Sequence, residues 1–590
     1  MTDDQPYRFA TTAEEARDWI GEAAGASIIA VDTETSGWDP LADRLRLIQL
    51  SAGPGLPVLV LDAERVDPRV LEPLMADLGV LKVFHHGAFD LRFLTTAGVR
   101  VRRTADTMLA QQLLDGGEKT AAGVGLAGIA SFRLGMRLDK SVRDTFADGH
   151  AFTDEQLRYA ADDAAATWAV FDQQWRELIG HGLTRVAQLE FAALPVLADL
   201  QFRGAPFDAP RWRKLIGGLE DELPALGQRV QEALVTADSP RDLFGPEPVN
   251  LDSPEQVRDA LARVGIEVET TREYVLRDHA GHPAVDALLE YRQVSKVTSN
   301  WGGDWADRVS HPRTGRVHAD WRQIVGTGRI ACSDPNLTQV PKHPRYRACF
   351  GGFDGRALVV ADYSQQELRI LAAVSGDEAL AEVFRRRGDL HASTAAMVFN
   401  IAEDDVTGAQ RSAAKQLNFG LMYGMGAPGF ARATGMTLAQ AQETMRRYFA
   451  AFPRVESWLA EAEASARRSG KARTALGRVR ALGGDGGFSG MATLARNAPI
   501  QGAGADMTKL ALAEVDRRLT DRFGADGGLC SDGLVLVVHD ELVAEVPECA
   551  AEEAATLVTD GMLAAAAEVL GDVPAVVDAH VRPRWGTDEA

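Results

Sequence analysis

Carboxylates in short, well-spaced stretches are the residues of this chain best suited to chemistry. Asp32 and Glu34 close an apolar run, ASIIAVDTE (Ala26–Glu34), and the period-2 alternation of a strand puts both on one face. A second expected strand, Leu81–Phe84, leads into HHGAFDLRFL, with Asp90 near the start of a helix. Tyr159 and Asp163 stand at i and i+4 in a helix predicted over Leu157–Phe171, and so share a face. If they converge, the four acids could hold two divalent ions roughly 4 Å apart, one activating water and one stabilising a leaving oxygen, with Tyr159 orienting the water. Each acid alone is an ordinary surface residue. The ordered set D-T-E, F-D-L-R-F-L and Y-x-x-x-D is far rarer.

A second set of acids lies in the last 240 or so residues. Leu534–Val546, LVLVVHDELVAEV, reads as two short strands joined by a tight polar turn, with Asp540 and Glu541 at the tip. Upstream, Ala357–Asp362, ALVVAD, is another strand, with Asp362 at its carboxyl end. Burying charge at such tips is unfavourable unless it is paired or bound to metal. Taken singly, each is as well explained by a solvated acidic turn. Two acid-tipped strands far apart in sequence are what a two-metal phosphoryl-transfer site requires.

Other residues surround this second set. In Gln410–Gly424, QRSAAKQLNFGLMYG, the residues Arg411, Lys415, Phe419 and Tyr423 recur every four and form one helical stripe. A core stripe would be aliphatic and a solvated one charged throughout; a passage from basic to aromatic suits a nucleotide, triphosphate at one end and base at the other. Tyr363 and Glu367 follow Asp362 as the strand runs into a helix, and GDLHASTAA puts His391 at the opening of the next. Thr327–Pro341 reads as a polar loop carrying Arg329, with a turn at Asp334-Pro335-Asn336 and basic Lys342, Arg345 and Arg347 beyond it.

The elements that must position these groups belong to a chain of 590 residues, enough for about four domains. With 46% hydrophobic and 25% charged residues it has an ordinary globular composition. The N-terminal stretch has no secretory pattern and no apolar run reaches membrane-spanning length, so a cytoplasmic protein without membrane contact is expected. Cys332, Cys349, Cys530 and Cys549 lack metal-ligand spacing and read as reduced thiols. A net charge of −21 argues mildly against nucleic acid, but phosphate affinity depends on local patches such as Arg467–Arg480, with six basic residues and no acid, or Arg385-Arg386-Arg387. From about Gln188 the pattern is helical; Leu288–Ser299 carries Arg292 and Lys296 on one face. Thr236–Asn250 and the glycine-rich Ala481–Gly490 read as loops.

The three N-terminal motifs resemble the DEDD exonucleases, in the variety that keeps a tyrosine in the third motif. That resemblance implies that Asp32, Glu34, Asp90 and Asp163 bind metal and that Tyr159 positions water. The second motif commonly has asparagine where this chain has His86. NLDSPEQV and HPAVDALLEYRQVSKV resemble a polymerase thumb, and with the Asp362 strand, the Gln410–Gly424 helix, Asn497-Ala498-Pro499-Ile500-Gln501 and the Leu534–Val546 hairpin they resemble family A DNA polymerases from about Ser27 to Trp585.

The implied fold is an α/β RNase H-like exonuclease domain (1–182), then an α+β right-hand polymerase domain: connector and thumb (183–330), and palm and fingers (331–590, fingers about 380–500), with an antiparallel palm sheet and helical fingers and thumb. The implied activity is template-directed DNA synthesis with 3′→5′ proofreading, using two Mg2+ per active site, for which Mn2+ can substitute. Asp362 and Asp540 would bind metal with Glu541 in support. Arg411, Lys415 and His391 would hold the triphosphate, and Lys415 would protonate the leaving pyrophosphate. Phe419 would pack on the sugar, Tyr423 near the templating base, and Glu367 would block a 2′-hydroxyl, beside Gln365 in the nucleotide site. Arg329, Asn497, Gln501 and His539 would touch the minor groove at the primer end, where acceptors are nearly alike for all correct pairs, with Asn336 and Arg347 as further DNA contacts. Two positions depart from the family: Gln366, where isoleucine is usual, and Thr493, where arginine is usual. The expected partners are primer-template DNA and deoxynucleotides, for a monomer near the nucleoid. Relatives often carry an N-terminal 5′ nuclease domain not recognised here, so that activity is expected from another protein. The rivals are a 3′→5′ exonuclease whose polymerase half only binds DNA, and a non-catalytic DNA-binding scaffold; retention of every acid argues against the scaffold.

Overall fold

A computed structural model describes residues 6–118, 120, 122–146, 151–237, 239–243, 245–386, 388–483, 487–524 and 532–587. The chain forms two compact units, one of residues 1–205, 318–340 and 353–583, the other of 206–317, 341–352 and 584–590. The segment expected as connector and thumb is therefore divided, with 183–205 and 318–330 in the first unit.

The first unit contains a six-stranded sheet of β1 (Tyr7–Ala10), β2 (Ile28–Thr35), β3 (Leu45–Ser51), β4 (Val58–Asp62), β5 (Leu81–Phe84) and β6 (Thr104–Asp106), in the order β1-β4-β3-β2-β5-β6. It is mixed: β3 runs antiparallel to β2 and β4, whereas β2–β5 and β5–β6 are parallel. Helix α1 (Ala88–Thr96) follows β5. Helix α2 (Asp154–Gly180) starts at a capping box in which the Thr153 side chain accepts from Gln156 N–H and the Gln156 side chain accepts from Thr153 N–H. Its buried Leu157, Ala160, Ala161 and Ala164 pack on Leu47, Val58 and Val60. The run of alanines lets α2 lie close against the sheet, which brings Tyr159 and Asp163 up to the end of β2.

Helix α3 (Thr184–Arg203) packs on β6. β7 (Asp320–Val325) and β8 (Arg329–Ser333) form an antiparallel hairpin with a bulge between Arg329 and Ala331. The reading of Thr327–Pro341 as a polar loop is corrected here. Arg329 stands on a strand, because pairing with β7 outweighs the weak strand preference of a five-residue segment.

Then come β9 (Arg356–Tyr363), α4 (Gln366–Ser375), α5 (Leu390–Phe399), α6 (Gly408–Gly420), α7 (Gly487–Phe523), β10 (Gly533–Val538), β11 (Glu541–Pro547), α8 (Ala551–Leu570) and β12 (Val577–Arg582). The four strands make an antiparallel sheet in the order β10-β11-β9-β12. Helix α7 continues through Pro499 and, like α8, packs beside this sheet. Of the glycine-rich segment expected as a loop, residues 484–486 lie outside the described residues and Gly487 onward is helical.

The second unit is helical. Helices Ala209–Leu234 and Pro283–Trp301 pack along one another over a core that includes Val230, Leu234, Leu261, Leu276 and Leu288. Arg292 is tied back to Thr271 Oγ1 at 3.3 Å. The described residues of Thr236–Asn250 form a loop apart from the two-residue strands Arg241–Asp242 and Gly245–Pro246.

Candidate functional site

The five N-terminal candidates share one cavity of about 530 Å³. Asp32 and Glu34 come from β2, Asp90 from the first turn of α1, and Tyr159 and Asp163 from α2. Burial raises Asp32 and Glu34 well above the ordinary carboxylate range, with Asp90 and Asp163 adding repulsion. Burial also pushes Asp90 up to about 7, although Thr33 Oγ1 donates to its Oδ1 at 2.6 Å. Asp163 is raised by burial against the opposing pull of Lys140, whose Nζ pairs with Asp163 Oδ2 and lies 3.4 Å from Tyr159 Oη. Burial and the same acids raise the Tyr159 phenol, so it stays a neutral hydroxyl. Beside the cluster, burial lowers His85 to about 3, and its Nδ1 lies 2.8 Å from Thr107 Oγ1. His86 is exposed, with a left-handed backbone at φ 63°.

The second set of acids meets at one end of the two central strands of the four-stranded sheet. Asp362 ends β9, and its register partner on β11 is Glu541, itself paired across β11 with Val538 of β10. Asp540 is in the two-residue turn between β10 and β11, next to His539 with φ 61°. On its other side Asp362 is opposite Asp578 of β12. Burial, then Asp540 and Glu541, push Asp362 up to about 7, and burial raises Asp540 as well.

Both clusters fit hard divalent cations. Their donors are carboxylate oxygens, and one oxygen in each, Asp163 Oδ1 and Asp362 Oδ1, is buried with no protein partner. Among the described residues no three acidic, imidazole or thiol groups already stand in the geometry of a cation cage.

The nucleotide candidates fall on or beside α4, α5 and α6, with one change from expectation. Arg411, Lys415 and Phe419 lie on α6, but the helix ends at Gly420, so the expectation of a helix to Gly424 is corrected. The chain turns over Leu421–Gly424, and Gly424 has φ 76°, where an added Cβ would come within 2.8 Å of Thr493 Oγ1. Tyr423 thereby leaves the stripe, and its hydroxyl donates to Glu367 Oε2 at 2.8 Å, while Arg329 Nη2 donates to Glu367 Oε1 at 2.8 Å. His391, on α5, is buried and lowered in pKa by that burial; its ring lies 5.9 Å from Phe419 and its Nδ1 3.2 Å from Asn418 Nδ2. Arg411 pairs with Asp389 at 2.6 Å. Gln365 precedes α4 with φ 57°. Gln366 is buried against α7, 3.4 Å from Gly504 O and 3.5 Å from Thr508 Oγ1, so this departure ties two helices together.

Asn497 and Gln501 are one turn apart on α7, and Thr327 Oγ1 donates to Gln501 Oε1 at 3.4 Å. The carbonyl of His539 accepts from Thr508 Oγ1 at 3.3 Å, so α7 abuts the hairpin tip. Asn336 accepts from Thr338 N–H and Oγ1 and caps its own turn. Arg347 belongs to the second unit, where it stacks on Trp585 at 4.2 Å. The basic run Arg467–Arg480 is largely engaged: Arg468 pairs with Glu461, Arg480 donates to two carbonyls, and Arg478 is buried between Glu190 and Asp506. Arg387 and Cys530 lie outside the described residues.

Sequence reasoning missed Lys140 and Arg143 in the first cavity, the Thr33 contact to Asp90, and Asp578 opposite Asp362. Only Asp578 left a signal, as a polar residue on the alternating strand VDAHVR.

The family model described as DNA polymerase family A matches residues 220–587. The chain belongs to DNA polymerase family A. A second model, 3'-5' exonuclease, matches residues 7–179, which contain the six-stranded sheet and the first acid cluster. In this family-A polymerase an RNase H-like α/β exonuclease domain thus precedes the right-hand polymerase domain. DNA polymerase I of Pseudomonas aeruginosa is 34% identical, over 97% of this chain and 64% of that protein, and that of Chloroflexus aurantiacus 30%, over 98% and 63%. The chain therefore spans less than two thirds of the length of these two relatives. DNA polymerase I of Aquifex aeolicus is 28% identical over 99% of this chain and 100% of that protein. Among solved structures, the POL domain of Pol1 from M. smegmatis, in complex with DNA primer-template and dNTP, superposes with a TM-score of 0.79 at 26% identity, covering 96% of this chain and 97% of that one.

Proposed function

We propose that this chain extends a primer 3′ end with deoxynucleotides under template direction and removes mismatched ends 3′→5′ at a second site, acting as a monomer on nucleoid DNA in the cytoplasm. The observation that carries this reading is the register of Asp362 against Glu541, one residue from Asp540, with a buried Asp362 oxygen that has no protein partner. Asp362 and Asp540 would hold two Mg2+, with Glu541 in support, and Asp32, Glu34, Asp90 and Asp163 would hold another two. Such ions, or Mn2+ in their stead, neutralise phosphate charge and favour ionisation of the attacking oxygen.

The protein's own groups do the rest. Arg411, Lys415 and a neutral His391 bind the triphosphate, and Lys415 passes a proton to the departing pyrophosphate. Phe419 packs on the sugar. Tyr423 releases Glu367 to approach the templating base, leaving the Glu367 carboxylate to exclude a 2′-hydroxyl beside Gln365. Arg329, Asn497, Gln501 and His539 test minor-groove geometry, and Asn336 and Arg347 contact the DNA backbone. At the exonuclease site the Tyr159 hydroxyl orients the attacking water.

The test is primer extension by Asp540→Asn. Extension is expected to fall by at least about 10³-fold with trimming intact. A wild-type chain that trims but never extends would favour an exonuclease whose polymerase half only binds DNA.

A further inference from the structure

Lys140 has no part in the chemistry assigned above, yet its ammonium lies inside the exonuclease cavity. It pairs with Asp163 Oδ2, lies 3.4 Å from Tyr159 Oη and 4.9 Å from the centre of the Tyr159 ring. The other Asp163 oxygen is buried without a partner. The two partners are unequal: the Asp163 side chain is 8% exposed and that of Lys140 33%. Lys140 stands between α2 and the preceding helix Leu126–Leu134, in a segment that is neither helix nor strand. Of this pair, therefore, the lysine is the member that can leave, because its flexible stem lets the ammonium swing into water.

We propose that Lys140 is an internal counter-ion that occupies Asp163 until a divalent ion displaces it, so that the exonuclease site fills at a higher metal concentration than its acids would require without the lysine. The inference rests on the exonuclease reading of the acid cluster. An ammonium on Asp163 Oδ2 and a divalent cation on the unpartnered Oδ1 repel each other across one carboxylate, so a bound ion expels the ammonium into water. Lys140 is thus a positioning residue, acting through Asp163. Arg143 lines the same cavity but lies over Trp38 at 5.7 Å, so it supplies nearby charge without holding Asp163 in this way.

The experiment is Mn2+ titration followed by electron paramagnetic resonance, in the full chain carrying Asp362→Ala and Asp540→Ala to remove the polymerase acids. Lys140→Gln is expected to tighten Mn2+ binding by about tenfold, Arg143→Gln by no more than about threefold, and Lys140→Arg to keep the parent affinity. In the otherwise unaltered chain, Lys140→Gln should lower the Mg2+ concentration for half-maximal trimming and leave that for extension unchanged. Equal tightening by Lys140→Gln and Arg143→Gln, or none by Lys140→Gln, would overturn the inference while leaving the exonuclease reading intact. Absence of Mn2+ binding in the parent, with Asp163→Ala no different, would overturn the exonuclease reading itself.

Discussion

At Asp90 burial and ionisation pull against each other, and the balance can be measured. Its carboxyl is raised by burial from 3.8 in the unfolded chain to about 7 in the fold. Between those values the folded state holds a proton that the unfolded state has lost, so stability falls as pH rises through that window. Asp90→Asn removes the titrating group and can keep the Thr33 hydrogen bond. In EDTA the variant should melt above wild type at pH 7.5, and the gap should shrink toward pH 5. A gap independent of pH would contradict the burial argument. Glu367 supports a second prediction, because it holds both Arg329 and Tyr423. Glu367→Ala should raise ribonucleotide incorporation relative to deoxynucleotide by about tenfold or more in single-turnover assays, since exclusion by the carboxylate is lost; unchanged discrimination would remove it as the sugar gate. Both acids were legible in the sequence because each stands just beyond an apolar strand, in the first turn of the helix that follows. Lys140 was not, since a lone lysine in an irregular segment has no periodicity to betray it. His86 lies between these cases. Its departure from the usual asparagine is plain in the sequence, but only the backbone, at φ 63°, explains why asparagine suits that place.

At the scale of elements, the strands that carry the acids were read to within a residue or two, because apolar runs with polar ends have few alternatives. Helix α6 was read four residues too long, since Gly420 and Gly424 fit a helical stripe in sequence although the chain turns between them. The β7–β8 hairpin was missed because its stability comes from pairing and not from composition. A buried quartet also escaped notice, because its members are hundreds of residues apart. Glu190 of α3, Arg478, and Asp506 and Lys509 of α7 form two acids against two bases; Lys509 Nζ lies 2.6 Å from Glu190, and Gln323 of β7 donates to Glu190 at 2.6 Å. Thus α3, α7 and β7 are joined at the one place where Thr327 also meets Gln501. Lys509→Met leaves Arg478 as the one cation of the quartet against two buried acids and should destabilise the fold by about 3 kcal/mol or more, read from urea unfolding. A loss below about 1 kcal/mol would mean that the quartet contributes little.

At the scale of the whole molecule, two acid clusters sit on two different sheets of one compact unit, each with a buried carboxylate oxygen lacking a protein partner. A net charge of −21 does not forbid DNA, because phosphate binding answers to local groups and not to the total charge. Separate sheets imply separable activities, and that separability is the central claim. It is tested most directly by primer extension and 3′ trimming on matched and mismatched termini, comparing wild type with Asp362→Ala and Asp163→Ala. Asp362→Ala should abolish extension and keep trimming, and Asp163→Ala should abolish trimming and extend the matched primer at the wild-type rate. Loss of both activities in either variant, or loss of neither, would contradict the account.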